Sequence, residues 1–346
     1  MSAKETTVQF VKELETTFSF QVSNIHMGRG SQFDVWTNVG QFGGRRFVNE
    51  EAIRHVEETA RQLAEQSMFV IAVPYRWPEA YLYSQALQSF VALYQNDTEQ
   101  RGGQSDEKAL FEQLGQAHRM LQHEEKPDKE RIKQVCEASL ERKKKQSANL
   151  DEIIIRMDRE RYPSPFEQQF QQHFGVWRQQ HEESVEALKE YIDKCIDEDE
   201  HPGKTAVSMT DGRLVKQPML RFIPATKRSI DANVFDLIRL INVFPDEETS
   251  VALEAYQRHV HLTEQDVRLF DASILDTSSA ARLATRYLSR KGNSSEIQFL
   301  DRLQTLNAKL KTHRSWSEQL QTLVGEKAAV VDEATFPESE EKQEVE

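Results

Sequence analysis

Two cysteines in 346 residues, Cys136 and Cys195, leave no room for a disulfide framework. Each falls on the apolar stripe of a predicted helix, where a thiol acts as a small hydrophobe. No apolar run approaches the roughly 18 residues needed to cross a bilayer, and Met1 to Gln21 lacks the basic-then-apolar plan of a signal peptide. A cytoplasmic protein with no membrane partner is expected. Glycine is scarce, at 13 residues, and absent between Gly115 and Gly175, which suits uninterrupted helix. Sequence signatures of chemistry are scarce too. There is no G-x-S-x-G, no H-E-x-x-H, no EF-hand pattern and no P-loop. His259-Val-His261 with Glu264 and Asp266 supplies zinc-ligand types, but alternate residues on a helix diverge and no third ligand follows by spacing. No catalytic residue, metal or cofactor is therefore assigned.

What is present is helix. From Phe166 through Phe170, Phe174, Trp177, His181, Val185, Leu188 and Ile192 to Cys195, apolar side chains recur in steps of four or three, an amphipathic helical period. Ser164, Pro165 and Glu167 supply the start: an N-cap, a first-turn proline whose missing N–H is no loss, and the acid of a capping box. Thr263 with Asp266 repeats the cap pattern, and Ser229, Asn49 and Asp276 are read as further N-caps. A last helix opens at Ser295 and is expected to stop at Gly325, with Phe299, Leu303, Leu306, Leu310, Leu320 and Val324 along one face. Leu303, Leu306, Leu310 and Leu320 are the candidate self-association seam.

The first 100 residues differ. Phe18 to Val22 and Gln32 to Val39 read as strands, five glycines lie between Gly28 and Gly44, and residues 68–73 read as a buried strand. Tyr81, Leu82, Ala86, Leu87 and Phe90 fit a helix after Pro78. The expected organisation is a small α+β module with a glycine-rich loop (1–100), a long-helix lobe (101–201), an extended basic hinge (202–228), a C-terminal helical lobe (229–325) and a disordered acidic tail (326–346). The fold class is mainly α: two helical lobes with long amphipathic helices, preceded by the α+β module.

Formal charge is −13, which opposes simple coating of nucleic acid, yet its distribution is uneven. Asp332 to Glu346 holds seven acids and one lysine, whereas Gly212 to Ile230 carries Arg213, Lys216, Arg221, Lys227 and Arg228 and no acid. With Arg142, Lys143, Lys144 and Lys145 these are candidate contacts to a phosphate backbone. Arg29, Arg45 and Arg46 in the glycine-rich region are candidate phosphate contacts, although the region matches no nucleotide fingerprint. The reading adopted is a non-enzymatic, self-associating, nucleoprotein-like protein in contact with RNA or another polyanion. The expected partners are further copies of itself, single-stranded RNA and other proteins. Two alternatives stay open: a helical adaptor or scaffold binding proteins only, and an enzyme whose site gathers around the glycine-rich loop.

Overall fold

The computed structural model describes residues 3–28, 31–66, 75, 81–96, 107–124, 128–197, 204–207, 215–217, 219–221, 228–244, 249–289 and 295–335. In chain order they form α1 (Ala3–Phe18), β1 (Val22–Met27), β2 (Gln32–Thr37), β3 (Gly40–Phe47), α2 (Glu50–Glu65), β4 (Tyr81–Ser84), β5 (Ser89–Asn96), α3 (Glu107–Leu121) and β6 (His123–Glu124). Next come α4 (Lys129–Asp158), α5 (Pro165–Glu190) with a π-helical extension (Tyr191–Asp197), and the short strands β7 (Lys204–Val207), β8 (Val215–Gln217), β9 (Met219–Arg221) and β10 (Arg228–Ile230). The chain closes with α6 (Ala232–Val243), α7 (Thr249–Gln257), α8 (Glu264–Ile274), α9 (Ser278–Ser289) and α10 (Glu296–Thr335). These elements divide into two compact units: residues 1–125, 204–239 and 258–260, and residues 126–203, 240–257 and 261–346. Residues 68–73, expected as a strand, lie outside the described residues, as do 336–346 of the expected tail.

The first unit is built on an antiparallel sheet of order β1-β2-β3-β5-β4. Side chains alternate across it. Phe33 and Val35 of β2, Phe42 of β3, and Val91 and Leu93 of β5 face α1, where they bury Phe10, Leu14 and Phe18. Phe47, Ala92 and Tyr94 face the other way, onto Ile53 and Val56 of α2. The predicted apolar face of α2, Ile53, Val56, Ala60 and Leu63, is buried throughout, and Asn49 Oδ1 accepts from the Ala52 amide at its start. Gly44 is required by its surroundings: a Cβ there would stand inside the Phe33 ring. Because Phe33 is itself buried, Gly44→Ala should cost about 1–3 kcal/mol through overpacking. A urea midpoint equal to that of the wild type would show that the ring moves aside freely.

Three local expectations fail in this unit. Phe18 to Val22, expected as a strand, begins with the last residue of α1 and turns at Ser19 (φ 54°), so that the strand starts only at Val22. The helix expected at Tyr81–Phe90 is a hairpin, β4 and β5, paired Tyr81 to Ala92 and Ser84 to Ser89. Its turn is held from far away in sequence: Ser84 Oγ donates to Glu13 Oε2 (2.5 Å) and the Ala86 amide to Glu13 Oε1 (3.1 Å). Ser229 lies in β10 and does not cap α6; Asp231, at φ 56°, makes the turn instead, its carbonyl accepting from the Val234 and Phe235 amides.

The second unit is a helical core. Leu150, Ile153 and Met157 of α4 pack with Phe166, Phe170 and Trp177 of α5, with Ala280, Ala281, Ala284 and Tyr287 of α9, and with Phe299, Leu303 and Leu310 of α10. The Ser164 capping box is formed as expected: Ser164 Oγ accepts from the Glu167 amide and Glu167 Oε2 accepts from the Ser164 amide. So is that of Thr263 and Asp266. Helix α10 does not stop at Gly325 but continues to Thr335. One glycine costs a helix only about 1 kcal/mol against alanine, too little to end a 40-residue element.

Candidate functional site

Within the first unit, Gln32 at the start of β2 pairs with Arg45 of β3, which brings Arg45 and Arg46 to the end of the sheet where β1 connects to β2; Gly40 pairs with Thr37 at the other end. The Gly28 amide donates to the Gln32 carbonyl and the Arg46 amide to the Ser31 carbonyl, so the turn is tied to both following strands. Arg29 and Gly30 lie outside the described residues. Arg45 and Arg46 leave β3 on opposite faces. Arg46 is partly exposed and stands opposite Val91, on the α1 side. Arg45 stands opposite Ala92, on the α2 side, and is 4% exposed.

A buried guanidinium is the least ordinary feature of that face. Its Cζ lies 5.0 Å from the Phe47 ring centroid, a cation–π distance. Burial pushes its pKa down, an effect opposed by the nearby Tyr94. Tyr94, two residues along β5 from the partner of Arg45, shares that face and is 2% exposed. Burial pushes the Tyr94 phenol well above its ordinary range; the Arg45 charge acts against this and Glu57 of α2 adds to it. Burial also raises the Glu57 carboxyl, partly offset by Arg54. The site therefore gathers a cation, a phenol and a carboxylate from β3, β5 and α2. Only the arginine was visible as a candidate in the sequence. Glu57 sits one position beside the apolar stripe of α2, and nothing local marks Tyr94.

The other predicted residues are dispersed. Arg142, Lys143, Lys144 and Lys145 lie on α4, but they do not share a face. Lys144 pairs with Glu141 at the surface (2.8 Å), while Lys143 turns into the second unit's core. There its Nζ donates to Ser184 Oγ (2.8 Å) and stands 3.6 Å from Asp276 Oδ2, and burial lowers its pKa against the pull of that carboxylate. The signal was present: Cys136, Lys143, Leu150 and Met157 recur every seven residues, and all four are buried. Lys216, Arg221 and Arg228 lie on β8, β9 and β10, whereas Arg213 and Lys227 fall outside the described residues. Leu303, Leu310 and Leu320 are buried inside the second unit, and Leu306 is partly buried against the same core. Among the described residues no group of three His, Cys, Asp or Glu side chains is placed to hold a metal ion, and no helix is long and apolar enough to cross a membrane.

No protein-family model matches the sequence, and no curated protein sequence matches it. Solved structures do. An aminoglycoside phosphotransferase from Alicyclobacillus acidocaldarius superposes with a TM-score of 0.54 at 12% identity, covering 94% of this chain and 97% of its own. Spectinomycin phosphotransferase in its AMP-bound complex superposes with a TM-score of 0.51 at 12% identity, covering 88% of this chain and 97% of its own. The chain has a kinase-like fold. This overturns the nucleoprotein-like, RNA-binding scaffold reading. The long helices bury their apolar faces inside the second unit's own core. The expectation of a small α+β module followed by helices agrees with the kinase-like fold at the level of fold class.

Proposed function

We propose that the protein binds a nucleoside phosphate on the α2 face of its N-terminal sheet, with the phosphates held by Arg45. The observation that carries this reading is the buried Arg45 guanidinium on β3. In protein kinases the third strand supplies a lysine to the phosphates, a helix after it supplies a glutamate, and a glycine-rich loop between the first two strands covers the phosphates. Arg45, Glu57 of α2 and the β1–β2 turn occupy those topological places here. An arginine keeps its charge when buried and offers a planar fork that suits phosphate, so the exchange of lysine for arginine preserves anion binding.

A second reading, transfer of the phosphate to a small molecule, is favoured by the names of the two phosphotransferases above. It needs more than binding. The kinase route uses a base aspartate followed five residues later by a metal-holding asparagine, and a further metal-holding aspartate in D-F-G. This sequence has no H-R-D, no D-F-G and no aspartate with asparagine five residues on. Among the described residues no three His, Cys, Asp or Glu side chains are grouped to hold a metal ion, and no transfer step is derived. The test is titration calorimetry of the full chain with ADP, with and without magnesium, beside an ATP turnover assay. Binding of ADP that Arg45→Ala weakens about tenfold to a hundredfold is expected, the range for a hydrogen bond to a charged group. An undiminished affinity in that variant would remove Arg45 from the site. Turnover of ATP with an added aminoglycoside would establish the second reading.

A further inference from the structure

The α2 face holds two polar atoms whose hydrogen bonds are missing. Tyr94 Oη is buried with no hydrogen-bond partner, and so is Glu57 Oε1. Buried hydroxyls and carboxylates are paired almost without exception, because an unpaired one gives up its water for nothing. The two atoms belong to the same small region: Tyr94 packs with Val56, the neighbour of Glu57 on α2. Tyr94 is also the diagonal neighbour of Arg45 across the β3–β5 pair, and the residue directly opposite it is Gly43, which places no side chain there. A donor without an acceptor thus stands beside a buried cation.

Resting on the nucleotide reading above, we infer that Tyr94 is a further ligand-contact residue, its phenol donating to the same phosphate that Arg45 binds. A phosphate oxygen supplies the acceptor that the phenol lacks and carries the charge that suits the guanidinium; a water molecule supplies only the first. Of the three side chains only Glu57 is partly exposed, so the group of three meets solvent on the α2 side. The high pKa of the phenol keeps its proton in place as a donor at neutral pH.

Tyr94→Phe tests this in the full chain, since it deletes one hydroxyl that bonds nothing in the protein. The free variant should melt at or above the wild-type temperature. Its affinity for ADP and for pyrophosphate should fall about tenfold, while any affinity for adenosine, which has no phosphate, stays unchanged. A melting temperature lower by more than a few degrees would mean that the hydroxyl has a structural partner and would overturn the inference. Equal ADP affinity in variant and wild type would overturn it too, leaving Arg45 and the nucleotide reading intact, and an equal fall for adenosine would move the contact off the phosphate. Wild-type protein that binds neither ADP nor pyrophosphate would instead bring down the nucleotide reading itself, and the role of Tyr94 with it.

Discussion

Replacing Asp236 by alanine is expected to cost about 3–5 kcal/mol, the largest loss from any single polar side chain considered in this protein. Asp236 on α6 is completely buried, and its Oδ2 accepts from Nε2 of His118 on α3 at 3.1 Å. Its other oxygen faces Nη1 of Arg239, one turn on, at 3.4 Å. Both helical stretches belong to the first unit. A carboxylate is taken out of water at high cost and is tolerated because these donors surround it; deleting it strands the 1%-exposed imidazole of His118 without that acceptor. For a unit of this size the loss corresponds to a fall in melting temperature of roughly 6–20 °C. His118→Phe in the Asp236→Ala background separates pairing from packing. If the pair is what matters, the double variant should lose less than the sum of the two single losses by at least about 1 kcal/mol. Strict additivity would mean that the two side chains are independent.

His118 and Asp236 also show where reading the sequence stops. They are 118 residues apart, and neither stands out locally: the histidine follows the apolar positions of α3, and the aspartate interrupts the most apolar helix of the chain. By contrast the Ser164 and Thr263 capping boxes were legible because every atom involved lies within four residues. Tyr81 to Phe90 was misread for the complementary reason. Its apolar residues fit a helical period well, but the turn is fixed by Glu13 and the strands by pairing to β3, and both determinants are more than 30 residues away. The site divides along the same line. Arg45 was recoverable from a glycine-rich, arginine-bearing stretch, whereas Glu57 and Tyr94 become its neighbours only through the pairing of β3 with β5 and the packing of α2 across both. Lys143 is the instructive middle case, read as part of a basic run when its seven-residue spacing from Cys136 and Leu150 already placed it in the core.

Acidification should destabilise the second unit through His313. This side chain of α10 is buried, with Nδ1 2.9 Å from the Ile274 carbonyl and Nε2 3.1 Å from the side-chain amide of Asn242. Both partner atoms, the Ile274 carbonyl and Asn242 Oδ1, are acceptors, so the neutral ring donates to one of them through its single N–H. Burial, and after it the charge of Lys309, lower the pKa from 6.5 to about 4, with the Ile274 carbonyl acting weakly the other way. The sign follows directly. Between about pH 4 and 6.5 the unfolded chain binds a proton that the folded one refuses, so stability is complete above pH 6.5 and falls as pH drops through that window, by about 3 kcal/mol at most. Asp271 pulls the opposite way, since burial raises its pKa despite hydrogen bonds from Ser317 and Gln321; its contribution lies at and above the ordinary carboxylate range. Measuring urea midpoints from pH 7 to pH 4.5 in wild type and His313→Gln isolates the histidine, because the variant keeps every carboxylate and loses only the titrating ring. Wild type should lose stability over that interval more steeply than the variant, the two curves converging toward acid. Parallel curves would mean that His313 is protonated in the folded state as readily as in the unfolded chain.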